Sequence, residues 1–121
     1  AWETEGWHYQ NPEFPGDNPN GFCWYEALLD SPEFLTLRQE RWQMHREEAW
    51  SDTAIEARID EAIAVLEPAV NRNFEQWPLL GEVIWPNDDG AVDRMTYVDE
   101  VSYLKSWVKQ RVAWMDFVLS G

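Results

Sequence analysis

The stretch TYVDEVSYLKSWVKQRVAWMDFVLSG, residues 96–121, decides the fold of this chain. Thr96, with Asp99 three residues later, resembles a capping box in which Asp replaces the usual Glu, so a hydroxyl and a carboxylate can satisfy two of the bare N–H groups at a helix start. Behind it Val101, Leu104, Val108, Val112, Met115 and Leu119 recur every three or four residues and define one apolar stripe. Tyr103, Trp107, Trp114 and Val118 run beside that stripe, giving a face wide enough to pack on two neighbours. The spacing predicts a keystone helix about 34 Å long by helical rise.

Working back from it, residues 78–95 hold Pro78, Gly81, Pro86, Asn87, Asp88, Asp89 and Gly90 and predict a long loop, interrupted only by the apolar Val83-Ile84-Trp85. Upstream, Thr53-Ala54-Ile55-Glu56 reads as a capping box, followed at helical spacing by Ile55, Ile59, Ile63, Leu66, Val70, Phe74 and Trp77. Pro68 falls inside this pattern and costs about 3 kcal/mol. Burial of six or seven apolar side chains at about 2 kcal/mol each outweighs that, so a bent helix rather than an ended one is expected. Before it, Ser31-Pro32-Glu33 supplies a capping hydroxyl, a proline at the first helical position and a first-turn carboxylate. The amphipathic helix it opens runs to Trp50. Trp24 to Leu29 fits a short helix ending at Asp30-Ser31, and residues 1–21, rich in Pro, Gly, Asn and Asp, predict an irregular lead-in.

The chain therefore reads as all-α. It is expected to form an antiparallel bundle of three long helices and one short one, with an irregular N-terminal lead-in and a long loop before the last helix. At 121 residues, 1–121 is a single helical domain, long enough to bury a core. The opening Ala1-Trp2-Glu3-Thr4-Glu5, without an initiating Met, suggests a segment removed upstream. It has neither the basic start nor the apolar core of a signal peptide, and no window predicts a membrane span. Nine Lys and Arg against 23 Asp and Glu give a formal net charge of -14, so nucleic acid and anionic membranes are electrostatically poor partners. A lone cysteine, Cys23, allows no internal disulfide and leaves the compartment undecided.

Reactive chemistry is sparse in the sequence. His8 and His45 sit in no metal-binding spacing, and His45 reads as structural or solvent-facing. Asn87-Asp88-Asp89-Gly90 with Asp93 could offer oxygens to calcium, but Trp85 stands where an EF-hand needs its first acidic ligand, so a turn is the better account. Glu47-Glu48 and Asp60-Glu61 point to different sides of their helices and read as solvated faces. Phosphate-binding glycine loops and nucleophile elbows are missing, so no catalytic, cofactor-binding or metal-binding residue is assigned. Arg38, Arg41, Arg72, Arg94 and Arg111 are expected to pair with carboxylates or stack on rings. The 9 Trp are several times normal usage. Packing is the expected use for most, including Trp42, Trp107 and Trp114, while Trp2, Trp7, Trp24, Trp77 and Trp85 lie in loops or at element ends. Trp7, Trp24 and Trp85 are the candidates for contact with a ligand or partner.

Taken in order, Thr4-Glu5-Gly6-Trp7, the run Trp24 to Phe34, Arg41-Trp42, Ile59-Asp60, the run Asn71 to Trp77, Glu100 to Trp107 and Arg111 to Asp116 form a succession. It resembles the C-terminal part of the CotH family, the spore-coat-protein-H-like atypical protein kinases, which also occur as modules in bacterial cellulosomal proteins. The resemblance implies a helical C-terminal subdomain of a kinase-like fold, with a scaffold or substrate-contact role and no catalysis of its own. It implies that the family's ATP-contacting lysine and metal-binding motif lie upstream, so ATP and a divalent metal are expected only for the intact kinase-like protein. An upstream kinase-like lobe or another protein is the implied partner, and a spore-associated, secreted or cell-surface setting the implied location. A tryptophan-rich binding module for polysaccharide or protein is the alternative.

Overall fold

A computed structural model describes residues 3–7 and 24–120, with 24–26 as helical backbone only. Trp2, His8, Cys23, most of the expected lead-in and the side chain of Trp24 lie outside the described residues. Four α-helices follow in order: α1 (Trp24–Leu29), α2 (Pro32–Glu47), α3 (Asp52–Gln76) and α4 (Tyr97–Leu119). A short 3-10 turn, Asp89–Asp93, sits in the loop before α4, and no strand occurs among the described residues. The all-α expectation holds, and Val83–Trp85 is loop.

Each helix start shows the chemistry that fixes it. The Ser31 hydroxyl accepts from the Phe34 amide at 3.3 Å, with Pro32 at the first position of α2. Thr96 and Asp99 form the complete reciprocal box: the Asp99 amide donates to the Thr96 hydroxyl at 3.1 Å, and the Thr96 amide donates to the Asp99 carboxylate at 2.9 Å. For α3 the expected box at Thr53 and Glu56 is corrected. Ser51 is the cap, accepting from the Ala54 amide at 3.2 Å, and the helix begins at Asp52. Two hydroxyl residues, Ser51 and Thr53, compete for this role, and Ser51 wins because the turn closing α2 presents it in extended conformation. That turn also ends α2 at Glu47 rather than Trp50, with the Glu48 and Trp50 amides both folding back onto the His45 carbonyl.

Pro68 lies within an unbroken α3. The residue whose carbonyl loses its partner, Ala64, is exposed, so water can satisfy the vacant acceptor.

The three long helices meet along α4. The Lys105 ammonium donates to Asp60 at 2.6 Å, and the Phe74 and Tyr97 rings are 6.2 Å apart, so α3 and α4 run antiparallel. Gln39 donates to the Ser120 carbonyl at 2.9 Å, and Trp42 Nε1 to Asp116 at 2.8 Å, which sets α2 across the C-terminal half of α4. The two-neighbour expectation for α4 is met.

The core itself is thin. Among the described residues only Ala91, Val112 and Leu119 are buried, and α3 contributes none. Leu66 of the expected α3 stripe is 53% exposed, Leu104 of the α4 stripe 48%, and Trp77 57%. The expectation that the helices bury one another's apolar faces is therefore met only in part: Trp42, Trp107 and Trp114 are half-buried, while Trp50, Trp77 and Trp85 stand in solvent.

Candidate functional site

Three side-chain constellations organise the surface, and α4 takes part in each. The first joins the pre-α4 turn to the helix. Arg94 donates to Asp88 at 3.1 Å and to Glu100 at 3.1 Å, and its guanidinium carbon lies 3.9 Å from the centre of the Tyr103 ring. The Tyr103 hydroxyl completes the loop by donating to Asp88 at 2.7 Å. This hydroxyl bond, seconded by Arg94, holds the Asp88 carboxyl below the usual aspartate range, and the same bond pushes the Tyr103 phenol up. Arg94 thus does what was expected of it, pairing and stacking at once. Asp88 is committed to this network rather than turned outward as a calcium ligand. Among the described residues no group of three or more His, Cys, Asp or Glu side chains is placed to hold a metal ion.

The backbone behind this constellation depends on one glycine. Gly81 has φ +77°, its amide donates to the Arg94 carbonyl at 3.0 Å, and a Cβ there would stand 2.5 Å from Met95 Sδ. Only glycine lets the loop return this close to the turn.

The second constellation ties all three long helices. Arg46 of α2 donates from Nε to Asp116 of α4 at 2.9 Å and from Nη2 to Asp52 of α3 at 2.7 Å, and Nη1 donates to the Trp50 carbonyl. Partial burial works against its charge, but the bonds to Asp116 and Asp52 prevail, and the guanidinium is held more firmly protonated. Trp42 shares Asp116, and Trp42, Trp50 and His45 form an aromatic stack, the His45 and Trp50 rings 4.4 Å apart. His45 is thereby a packing residue, as read from the sequence. Arg46 was not singled out there, since nothing local marks a partner 70 positions away.

The third constellation anchors the N-terminal segment. Arg111 donates to the Gly6 carbonyl at 2.7 Å and the Thr4 carbonyl at 3.2 Å, and lies 4.6 Å from the Trp114 ring and 5.6 Å from that of Trp7. Trp7 meets Trp114 edge-on at 4.9 Å. Gly6, with φ +82°, makes the turn that brings Trp7 back onto the helix.

Of the candidate contact residues, Trp7 is half-buried in this anchor and Trp85 is 86% exposed at the tip of the loop. The third constellation engages Trp7 and leaves Trp85 outside it. Arg41 and Arg72 are exposed, and Arg38 is half-buried with its Nε unpartnered.

A family model described as CotH kinase protein matches residues 1–115. The chain belongs to the CotH kinase family. No curated protein and no solved structure matches it. Within this CotH family member, no helix among the described residues is long and apolar enough to cross a membrane.

Proposed function

We propose that this chain is a helical subdomain of a CotH-type protein kinase, non-catalytic by itself, whose role is to brace the phosphoryl-transfer lobe and contribute substrate contacts. The observation that carries the reading is the ratio of exposed to buried apolar surface. Three buried residues stand against exposed Val65, Leu66, Trp77, Leu79, Trp85, Met95 and Val98, all on α3, the loop and the start of α4. So many exposed apolar side chains on neighbouring stretches of the chain suit a surface that a partner covers. Phosphoryl transfer needs a phosphate cradle and metal-binding carboxylates, and the constellations described here are ones that hold helices together. ATP and a divalent cation belong, on this reading, to the intact protein.

The test is phosphate transfer from labelled ATP with magnesium to an acceptor protein. The isolated chain is expected to transfer none, while the chain joined to a CotH lobe carrying the ATP site is active. Sustained turnover by the isolated chain contradicts the proposal.

The exposure of Trp85 also supports a second reading, a tryptophan platform for polysaccharide. Titrating soluble cellulose or xylan fragments while following tryptophan fluorescence decides it. A saturable shift abolished by Trp85→Ala favours the platform, and its absence removes it.

A further inference from the structure

We propose that the cleft between the N-terminal segment and α4 is a binding site for the guanidinium of an arginine side chain presented by a partner polypeptide. The cleft is an open hollow of about 560 Å³. It is lined by Glu3, Thr4 and Glu5 of the N-terminal segment and by Tyr103, Ser106, Trp107 and Gln110 of α4. On α4 these residues fall at positions i, i+3, i+4 and i+7, one continuous helical face.

Several observations favour a planar cation as occupant. Glu3 and Glu5 are exposed and enter none of the ion pairs among the described residues. They are nevertheless held in place, because Arg111 fixes the carbonyls of Thr4 and Gly6 on either side of Glu5. The cations nearest the cleft face are directed elsewhere: Lys105, bonded to Asp60, and Lys109 line the separate hollow facing α3, Arg111 holds those carbonyls beside two indole rings, and Arg94 pairs with Asp88 and Glu100 while covering one face of Tyr103. Gln110 donates to the Ser106 hydroxyl at 3.0 Å, which leaves its amide oxygen as a further acceptor. Carboxylates, an amide oxygen and ring surface around one hollow suit a guanidinium, which can take paired hydrogen bonds at its edge and stack through its face. A formal net charge of -14 raises the local concentration of any basic segment. A neutral sugar uses ring surface as well, but gains nothing from the unpaired charge of two carboxylates.

The experiment titrates Nα-acetyl-arginine methylamide and its citrulline counterpart, equal in shape but uncharged, into the 121-residue chain. Amide and indole resonances report the binding. The arginine probe is expected to shift the Trp107 indole and the Gln110 side-chain amide saturably and to weaken as salt is raised. Glu3→Gln/Glu5→Gln, at two exposed positions that leave the fold intact, is expected to weaken it about tenfold, as is the change to citrulline. Glu75→Gln/Glu82→Gln, exposed and outside the cleft, serves as the control and is expected to bind as the parent does. No saturable shift, equal binding of citrulline, equal weakening by the control pair, or a xylan fragment occupying the cleft with the double variant unchanged would each overturn the proposal. None of these outcomes depends on whether the chain braces a kinase lobe.

Discussion

Arg46 concentrates more of the tertiary structure than any apolar residue does. It bonds to Asp116 and Asp52 while 19% of its side chain remains exposed, so the charge-assisted bonds form in partial shelter from water. Arg46→Met is expected to lower stability by about 2 kcal/mol in urea denaturation, with the loss shared by α2 and α3. Asp88 makes a pH-dependent contribution whose sign is fixed by the direction of its shift. Its folded carboxyl is held down by the Tyr103 hydroxyl and then Arg94, so the stabilisation is complete above the unfolded aspartate value, near about 4, and is lost as pH falls through the lower folded value. Tyr103, pushed up by the same bond, stabilises fully below about 10 and loses its share as pH rises through the folded phenol value. Tyr103→Phe is expected to cost about 1 kcal/mol at neutral pH and to flatten the acid limb of a stability profile recorded from neutral pH down through the aspartate range. An unchanged acid limb would show that Asp88 gains nothing from the hydroxyl. These pairings were only partly readable in the sequence: Arg94 and Arg111 stood beside aromatics and were expected to stack, whereas 23 carboxylates offered Arg46 no distinguishable partner before folding.

Helix boundaries reflect local chemistry, and for that reason they were the most legible part of the fold. Thr96 and Asp99, like Ser31 and Pro32, act over three residues or fewer, and both starts appear where the sequence places them. Thr96→Ala is expected to cost about 1 kcal/mol and to fray the first turn of α4, visible as faster amide exchange at Asp99 and Glu100. At α3 two hydroxyls lay within reach, and the choice of Ser51 over Thr53 was set by the turn from α2, which no local pattern encodes. Pro68 offers a prediction of opposite sign. It is exposed and inside a continuous helix, so Pro68→Ala restores a hydrogen bond with no packing loss and is expected to add up to about 3 kcal/mol of stability, seen as a higher thermal midpoint. A lower midpoint would mean that the proline ring itself supports a contact. The stripes of α3 and α4 were legible as patterns, but their burial was not. Periodicity shows that a face is apolar and leaves open whether this chain supplies what covers it.

At the scale of the molecule that distinction becomes the argument. The succession of motifs placed the chain among CotH proteins, and the family model over residues 1–115 establishes it. The candidate sites were less legible, because the cleft beside Glu3 and Glu5 exists only once Arg111 has drawn the N-terminal segment onto α4, a contact spanning more than a hundred residues. The exposed apolar side chains from Val65 through Val98 are the surface on which the proposed bracing role turns. Hydrogen–deuterium exchange tests that role most directly, by comparing this chain alone with the same chain joined to a CotH lobe that carries the ATP site. The account predicts slower exchange in the joined protein across residues 63–70 and 79–98, with the Arg46 region unchanged. Equal exchange rates across both segments in the two forms would contradict it.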